Sequence, residues 1–279
     1  MNRTWYRQGD SLLKEIKETT VTRGELAFWY LGQLGYVFKG SATVYVDVML
    51  NDQLNEDGTS ARWYQPPFAP EQVQADYILC SHNHIDHLAA PTVQGIAKSN
   101  PEARFVVPAG CASVLEELGI APDRILSMNS GDTLKLPELT IRAVATAHPE
   151  YQRDEQGNDM SLAFHLEMNE IHALHPGDTY LTRQLIRELS QLPAPDLFFP
   201  PINGQDFFRT ERNCIGNLNT IEAAELSKIL KTDLTVPSHF DMFVGNTVDP
   251  LEFARYYMGI RPSAKWHIPS LGERFIYRK

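Results

Sequence analysis

Residues 81–88 of the chain read SHNHIDHL, and this stretch decides how the rest of the sequence is interpreted. It places His82, His84, Asp86 and His87 within six positions, in a chain that has nine histidines among 279 residues. In an extended turn, side chains two positions apart point the same way, so His82 and His84 can hold one cation. Asp86 and His87 follow on the next turn and can serve a second. Because imidazole and carboxylate without thiolate suit an open site, the stretch predicts a catalytic centre with two divalent ions, zinc or manganese, with iron as a further option.

Three other polar clusters share one setting, because each follows an apolar run that predicts a strand. They are TAHPE with His148, HPGDTY with Asp178, and PSHFD with His239. Loops that leave the strand ends of an α/β sheet gather at one edge, so these side chains can meet. Two metals about 3.5–4 Å apart need a shared carboxylate and terminal imidazoles. Asp178 supplies the carboxylate, after a glycine that allows close backbone approach, and His148 and His239 supply the imidazoles.

The charge and hydropathy of the chain argue against nucleic acid and membranes as binding partners. The net charge of −10 and the lack of a Lys/Arg cluster argue against nucleic acid, because phosphate contacts need clustered cations. No stretch reaches the length of a membrane span and the N-terminus lacks an uninterrupted apolar run, so we expect a cytoplasmic enzyme that does not bind membranes. The three cysteines, Cys80, Cys111 and Cys214, have no C-x-x-C spacing, which predicts reduced thiols rather than a zinc site.

The pattern of elements predicts one domain over residues 1–279, with residues 1–22 as an N-terminal helical extension. Residues 26–40 and 42–50 are β-rich runs typical of a hairpin, and strands alternate with helices in the second half. Residues 51–70 follow the second of these runs, are rich in turn formers and carry Trp63, Tyr64 and Phe68. This composition predicts a long surface loop of the kind that often borders a binding site. The N-terminal helix and the aromatic loop are candidate contacts for a homo-oligomer.

At this point the sequence resembles the metallo-β-lactamase superfamily of binuclear hydrolases. The motif string H-x-H-x-D-H, then H, then D after Gly, then H is present in that order. The resemblance implies an α/β (α+β) fold, the four-layer αββα metallo-β-lactamase sandwich. It also implies the ligand sets: His82, His84 and His148 on one metal, Asp86, His87 and His239 on the other, and Asp178 as the bridge. Asp47, at the end of an early strand, matches the family's aspartate that orients a ligand histidine. His175, in HPGD, is a candidate for a similar supporting role.

Within the superfamily the sequence is most similar to the L-ascorbate-6-phosphate lactonases and their relatives. The similarity lies in LAFWYLGQLGYVFKGSATVYVD, HPGDTY and VPSHFDMF, whereas the metal motif differs from that group at Asn83 and Ile85. It implies a metal-dependent hydrolase in which a metal-bridging hydroxide opens a small anionic sugar lactone, which can be phosphorylated, and in which Asp86 or Asp178 transfers a proton. The candidate substrate-binding residues are Arg209, Arg212, Asn203 and Tyr180, because a phosphate or carboxylate needs a cationic anchor outside the metal cage.

Two other functions are compatible with the same residues. A binuclear phosphodiesterase acting on a nucleotide or lipid is the main alternative, since one metal pair can serve both carbonyl and phosphoryl transfer. A non-catalytic metal-binding protein is the other, although a complete ligand set with an open position disfavours it. Turnover of any substrate would exclude the non-catalytic protein, and the class of substrate turned over distinguishes the two hydrolases.

Overall fold

In the computed structural model, which describes residues 4–279, two seven-stranded mixed sheets lie at the centre of the fold. The first runs in the order β14-β1-β2-β3-β4-β5-β6. Its strands are β1 (Glu25–Gly32), β2 (Gly35–Lys39), β3 (Thr43–Val46), β4 (Tyr77–Leu79), β5 (Arg104–Pro108), β6 (Ile125–Met128) and β14 (Arg274–Arg278). Pairing is antiparallel from β14 to β3 and parallel from β3 to β6.

The second sheet repeats this arrangement with other parts of the chain. Its order is β13-β12-β11-β10-β9-β8-β7, antiparallel from β7 to β10 and parallel from β10 to β13. The strands are β7 (Thr133–Lys135), β8 (Thr140–Ala145), β9 (Leu162–Met168), β10 (Ile171–His175), β11 (Leu197–Phe198), β12 (Leu234–Thr235) and β13 (Lys265–Trp266). In both sheets the parallel half directs strand ends toward one edge, where polar loops can converge.

Helices cover the outer faces of the sheets. They are α1 (Gly9–Glu18), α2 (Ala90–Ser99), α3 (Ala112–Glu117), α4 (Arg183–Leu189), α6 (Thr220–Ile229) and α7 (Pro250–Ile260). The short helix α5 (Phe207–Thr210) lies between β11 and α6, and its Phe207 and Phe208 are exposed. Strand β1 shows the layering, because Phe28 and Tyr30 join the core between the sheets while Ala27 and Trp29 join the core under α1, α2 and α3. A strand buried on both faces needs a continuous apolar run, and ELAFWYLG provides one. The predicted four-layer αββα architecture is therefore confirmed.

Several element boundaries differ from the sequence-based expectation. The run LTIRAVATAH predicts a strand that ends at His148, but β8 ends at Ala145. The run before Asp178 predicts a strand that ends at Gly177 and Asp178, but β10 ends at His175, so these candidate ligands lie in loops beyond the strands. The sequence reading did not identify β9, β14 or α7. Strand β14 pairs with β1, which brings the C-terminus back to the first sheet. No helix within residues 4–279 combines the length and the apolar character that a membrane crossing requires.

The loop of residues 51–70 is fastened to the body of the protein rather than fully solvated. Tyr64 and Phe68 are buried, whereas Trp63 is half exposed. The buried Arg62 donates from Nη1 to the carbonyls of Met49 and Asn51, and its backbone forms a bridge with residue 243. This attachment lets the loop serve as a fixed wall beside the strand ends.

Candidate metal centre

Four loops at one edge of the two sheets bring the seven predicted ligands together. The motif that holds His82 follows β4, while His148, Asp178 and His239 follow β8, β10 and β12. Their ligand atoms form two groups, in each of which all atoms lie within 4.8 Å of one another: His82, His84, His148 and Asp178 in the first, and Asp86, His87 and His239 in the second. The structure thus brings the seven candidate ligands together and groups Asp178 with His82, His84 and His148.

Asp178 lies between the two groups, with one carboxylate oxygen toward each. Its Oδ2 is 3.3 Å from His148 Nε2, in the first group. Its Oδ1 is 3.3 Å from His239 Nε2 and 3.4 Å from His87 Nε2, in the second. A carboxylate placed in this way can ligate two cations at once, one through each oxygen.

The buried polar atoms at this edge lack hydrogen-bond partners within the described part of the chain. They are His82 Nε2, His87 Nε2, His148 Nδ1, Asp178 Oδ1 and both ring nitrogens of His239. Leaving buried polar atoms unpaired is costly, and several of these face one another at contact distance. Divalent cations would satisfy Oδ1 of Asp178 and Nε2 of His82, His87 and His239, so the donor set fits a metal centre.

Hydrogen bonds on the far side of the rings prepare two histidines as ligands. Nδ1 of His87 lies 2.7 Å from Oδ2 of Asp47, and Nδ1 of His82 lies 3.0 Å from Oγ of Ser81. Ser81 is itself bound to Asp47 through both its backbone N–H and its hydroxyl. A proton held on Nδ1 leaves the Nε2 lone pair for a metal. Asp47 therefore supports the motif without being among the ligands.

The backbone beside Asp178 requires glycine. Gly177 has a φ of +62°, and a Cβ there would lie 2.7 Å from Cβ of Ser81. L-residues with a side chain rarely adopt this φ, and the space is already taken. The missing side chain lets the loop after β10 approach the loop after β4, which sets the distance between Asp178 and the histidine motif.

The pKa shifts of these side chains are consistent with their proposed roles as metal ligands. Burial lowers the pKa of His82 well below its usual value and that of His148 to about 4, so both imidazoles are neutral at pH 7. Burial alone would raise the pKa of Asp178, but His239, His87 and His148 lower it well below the ordinary value. His87 differs: burial opposes protonation, yet nearby carboxylates, Asp178 foremost, raise its pKa well above 6.5. A cation bound at His87 must therefore displace a proton.

Two supporting residues were not identified from the sequence. Gln33, in the turn between β1 and β2, donates from Nε2 to Oδ2 of Asp86 over 2.8 Å and accepts from the backbone N–H of His239. Asp241, two residues beyond that histidine, accepts hydrogen bonds from Tyr30 and Tyr64. Glycines on either side mark the turn at Gln33 in the sequence, but no local signal shows that its side chain reaches the motif.

His175 lies beneath the centre and is fully buried. Its Nε2 donates to the carbonyl of Leu34 over 2.8 Å, and its Nδ1 is 4.0 Å from Oδ2 of Asp47. Burial lowers the pKa of its imidazole. The ring thus packs behind Asp47 and contacts the turn after β1 rather than the ligand atoms.

A cavity of about 590 Å³ opens onto the metal centre. The four candidate substrate-binding residues differ in whether they line it. Arg212 lines it, whereas Tyr180 lines an adjoining cavity of about 240 Å³. Arg209 is buried, pairs with Asp206 and donates from Nη1 to the carbonyl of Asn203. Asn203 is also buried and does not line the cavity; its side chain donates to Oδ1 of Asn246 and accepts from Asn217. Among these four, Arg212 has the position that a substrate anchor needs.

Comparison with known proteins agrees with this geometry. Residues 43–240 match the model of the β-lactamase superfamily domain. The chain is 30% identical over 232 residues to a UPF0173 metal-dependent hydrolase of Archaeoglobus fulgidus, which covers 81% of this chain and 88% of the relative. It is 24% identical to an N-acyl-phosphatidylethanolamine-hydrolyzing phospholipase D of Caenorhabditis elegans, covering 81% and 67%. It is 21% identical to a probable L-ascorbate-6-phosphate lactonase of Salmonella heidelberg, covering 89% and 79%.

Solved structures show the same fold at low sequence identity. Igni18, a metallo hydrolase from Ignicoccus hospitalis, superposes with a TM-score of 0.70 at 18% identity, covering 91% of this chain and 99% of that one. The matched domain spans the strands and loops that carry the seven candidate ligand residues. The chain therefore belongs to the β-lactamase superfamily and is a metal-dependent hydrolase of the metallo-β-lactamase fold.

Proposed function

We propose that this hydrolase opens a lactone or ester bond in a small anionic molecule, with two divalent cations held by the two ligand groups. The observation that supports two cations is the placement of Asp178, whose Oδ1 and Oδ2 face different groups of histidines. Zinc and manganese both suit these nitrogen and oxygen donors. When bound, such ions polarise the scissile carbonyl and lower the pKa of water toward neutrality.

The chain's own residues position the substrate and handle the proton. Arg212 is the only lysine or arginine among the residues that line the described cavity, and no carboxylate within residues 4–279 lies within salt-bridge distance of it. Its guanidinium is available for a carboxylate or phosphate on the substrate. Asp86 and Asp178 also line the cavity. Because the two oxygens of Asp178 face the two ligand groups, Asp86 is the carboxylate that accepts the proton released during attack and returns it to the leaving oxygen.

The choice of a lactone rather than a phosphodiester rests on the resemblance to the lactonase group and on the relative named as a probable lactonase. Phosphodiesters are also included in the test, because one relative is named a phospholipase D and the same donor set can serve phosphoryl transfer.

The test is a panel of anionic lactones, carboxylate esters and phosphodiesters, assayed with protein loaded separately with Zn²⁺ and Mn²⁺. We expect lactone or ester opening that is lost in Asp178→Asn and unchanged in Asp196→Asn, a buried aspartate that pairs with Lys279. Cleavage of phosphodiesters alone would move the protein to the alternative class. Unchanged turnover in Asp178→Asn would contradict the proposed metal centre.

A further inference from the structure

The cavity beside the metal centre has an apolar wall. Ile85 is 60% exposed and Val244 57% exposed, and the half-buried Phe243 and Ile215 line the same space. Single apolar side chains at a surface are ordinary, but here four line one cavity next to the reacting groups. Ile85 stands inside the motif, between His84 and Asp86, so a group bound against it lies close to the scissile bond.

The cationic anchor adjoins this wall. A Cβ on Gly245, the residue after Val244, would lie 3.8 Å from Nη2 of Arg212, so the guanidinium sits beside that segment. Nε of Arg212 donates to the carbonyl of Phe208, which is 74% exposed. One end of the cavity thus offers a positive charge and the adjacent surface offers aliphatic and aromatic carbon.

A substrate that carried only hydroxyl groups would be poorly matched to this lining. Its hydroxyls could bond to the amides that also line the cavity, but those placed against Ile85, Phe243 and Val244 would lose water without gaining hydrogen bonds, and desolvation without compensation is unfavourable. An alkyl or aryl group would instead remove apolar surface from water, on its own side and on the protein's. The volume of about 590 Å³ is within the range of cavities that enclose small organic ligands.

We infer that the substrate of this site is amphiphilic, with one anionic group bound by Arg212 and an aliphatic or aromatic group packed against Ile85, Phe243 and Val244. This inference rests on the proposed hydrolysis and specifies its substrate class.

The test uses two anionic γ-lactones that differ only in a methyl or a hexyl substituent, assayed with zinc-loaded protein. We expect kcat/KM to be at least roughly tenfold higher for the hexyl compound, and Val244→Ser to lower it about fivefold for hexyl and less than about twofold for methyl. Leu251→Ser is the matched control, because Leu251 is 51% exposed and lies outside the cavity. Arg212→Gln should lower kcat/KM for both lactones.

Calorimetry with the two ring-opened products separates this inference from the proposed function. If neither lactone is hydrolysed but the hexyl product binds at least roughly tenfold more tightly, and Val244→Ser removes the difference, the amphiphilic site stands and the proposed reaction fails. Equal affinities for the methyl and hexyl products, or an equal loss for both in Val244→Ser, would overturn the inference whatever the turnover.

Discussion

The side-chain amide of Gln33 donates a hydrogen bond to Oδ2 of Asp86 over 2.8 Å and links the turn after β1 to the metal-binding motif. The backbone carbonyl of the same residue accepts from the N–H of His239 over 2.5 Å. Gln33 has a φ of +59°, which residues other than glycine seldom adopt. One strained turn residue thus holds the side chain of Asp86 and the backbone of His239, two members of the second ligand group.

Replacing Gln33 by Leu keeps much of the side-chain volume and removes the amide. Residues that orient ligands typically contribute about 10–100-fold to metal affinity, and we expect a loss in that range at the second group with a smaller change at the first. Metal content, measured after equilibration in buffers of fixed free Zn²⁺, reports the two sites. Gln65→Leu is the control, since Gln65 is an exposed glutamine bonded to Asp52 away from the centre. Two zinc ions bound with wild-type affinity in Gln33→Leu would refute this role.

Gly177→Ala tests whether the close approach of two loops places Asp178. The new Cβ would meet Ser81 at 2.7 Å in addition to the unfavourable φ of +62°. Gly119→Ala separates the two effects, because Gly119 has a φ of +86° with nothing within 4 Å of a Cβ. We expect Gly119→Ala to lower the free energy of unfolding by about 1 kcal/mol, and Gly177→Ala by roughly 2 kcal/mol more. Urea denaturation of both variants gives the comparison, and equal losses would mean that Ser81 moves aside freely.

Much of the candidate metal centre could be located from the sequence because its residues lie in short, recognisable polar clusters. His82, His84, Asp86 and His87 lie in one motif, and the remaining ligands each follow an apolar run in a short polar cluster. Strand ends in a parallel half-sheet share an edge, so their convergence follows from the order of elements.

The supporting contacts could not be predicted in the same way. Gln33 is 53 positions from Asp86, and Arg209 carries the same charge as Arg212 yet is buried in contacts with its own loop. Such differences depend on how loops pack, which local patterns do not encode. Strand β14 was missed for a related reason, because its pairing with β1 joins the two ends of the chain.

Metal binding should stabilise the fold, because the cations bind residues that only the folded chain brings together. Each site occupied at a hundredfold excess over its Kd adds about 2.7 kcal/mol to the free energy of unfolding. We therefore expect Zn²⁺ to raise the midpoint of thermal unfolding of chelator-treated protein and the rise to be much smaller in Asp178→Asn. Asp196→Asn should keep the full response. A zinc-induced shift of wild-type size in Asp178→Asn would show that this carboxylate does not join the two groups.

His165 gives the fold a pH dependence that is separate from the metal centre. It lies on β9, is 1% exposed, and its Nε2 donates to the carbonyl of Pro193 over 3.0 Å. Burial, with a smaller effect from the neighbouring His172, lowers the pKa of His165 to about 4. Between pH 6.5 and 4 the unfolded chain therefore binds a proton that the folded chain does not, so stability decreases as the pH falls through this window.

His165→Gln removes the titrating ring and retains an N–H donor that can reach the carbonyl of Pro193. At 1.36 kcal/mol per pKa unit, the wild type should lose on the order of 3 kcal/mol more than the variant between pH 7 and pH 4. Urea denaturation of both proteins at half-unit pH intervals, with chelator present throughout, measures this difference. All other ionisable residues are the same in the two proteins, so the difference between the two curves is assigned to the replacement of His165. Parallel stability curves would show that His165 is protonated as readily in the folded protein as in the unfolded chain.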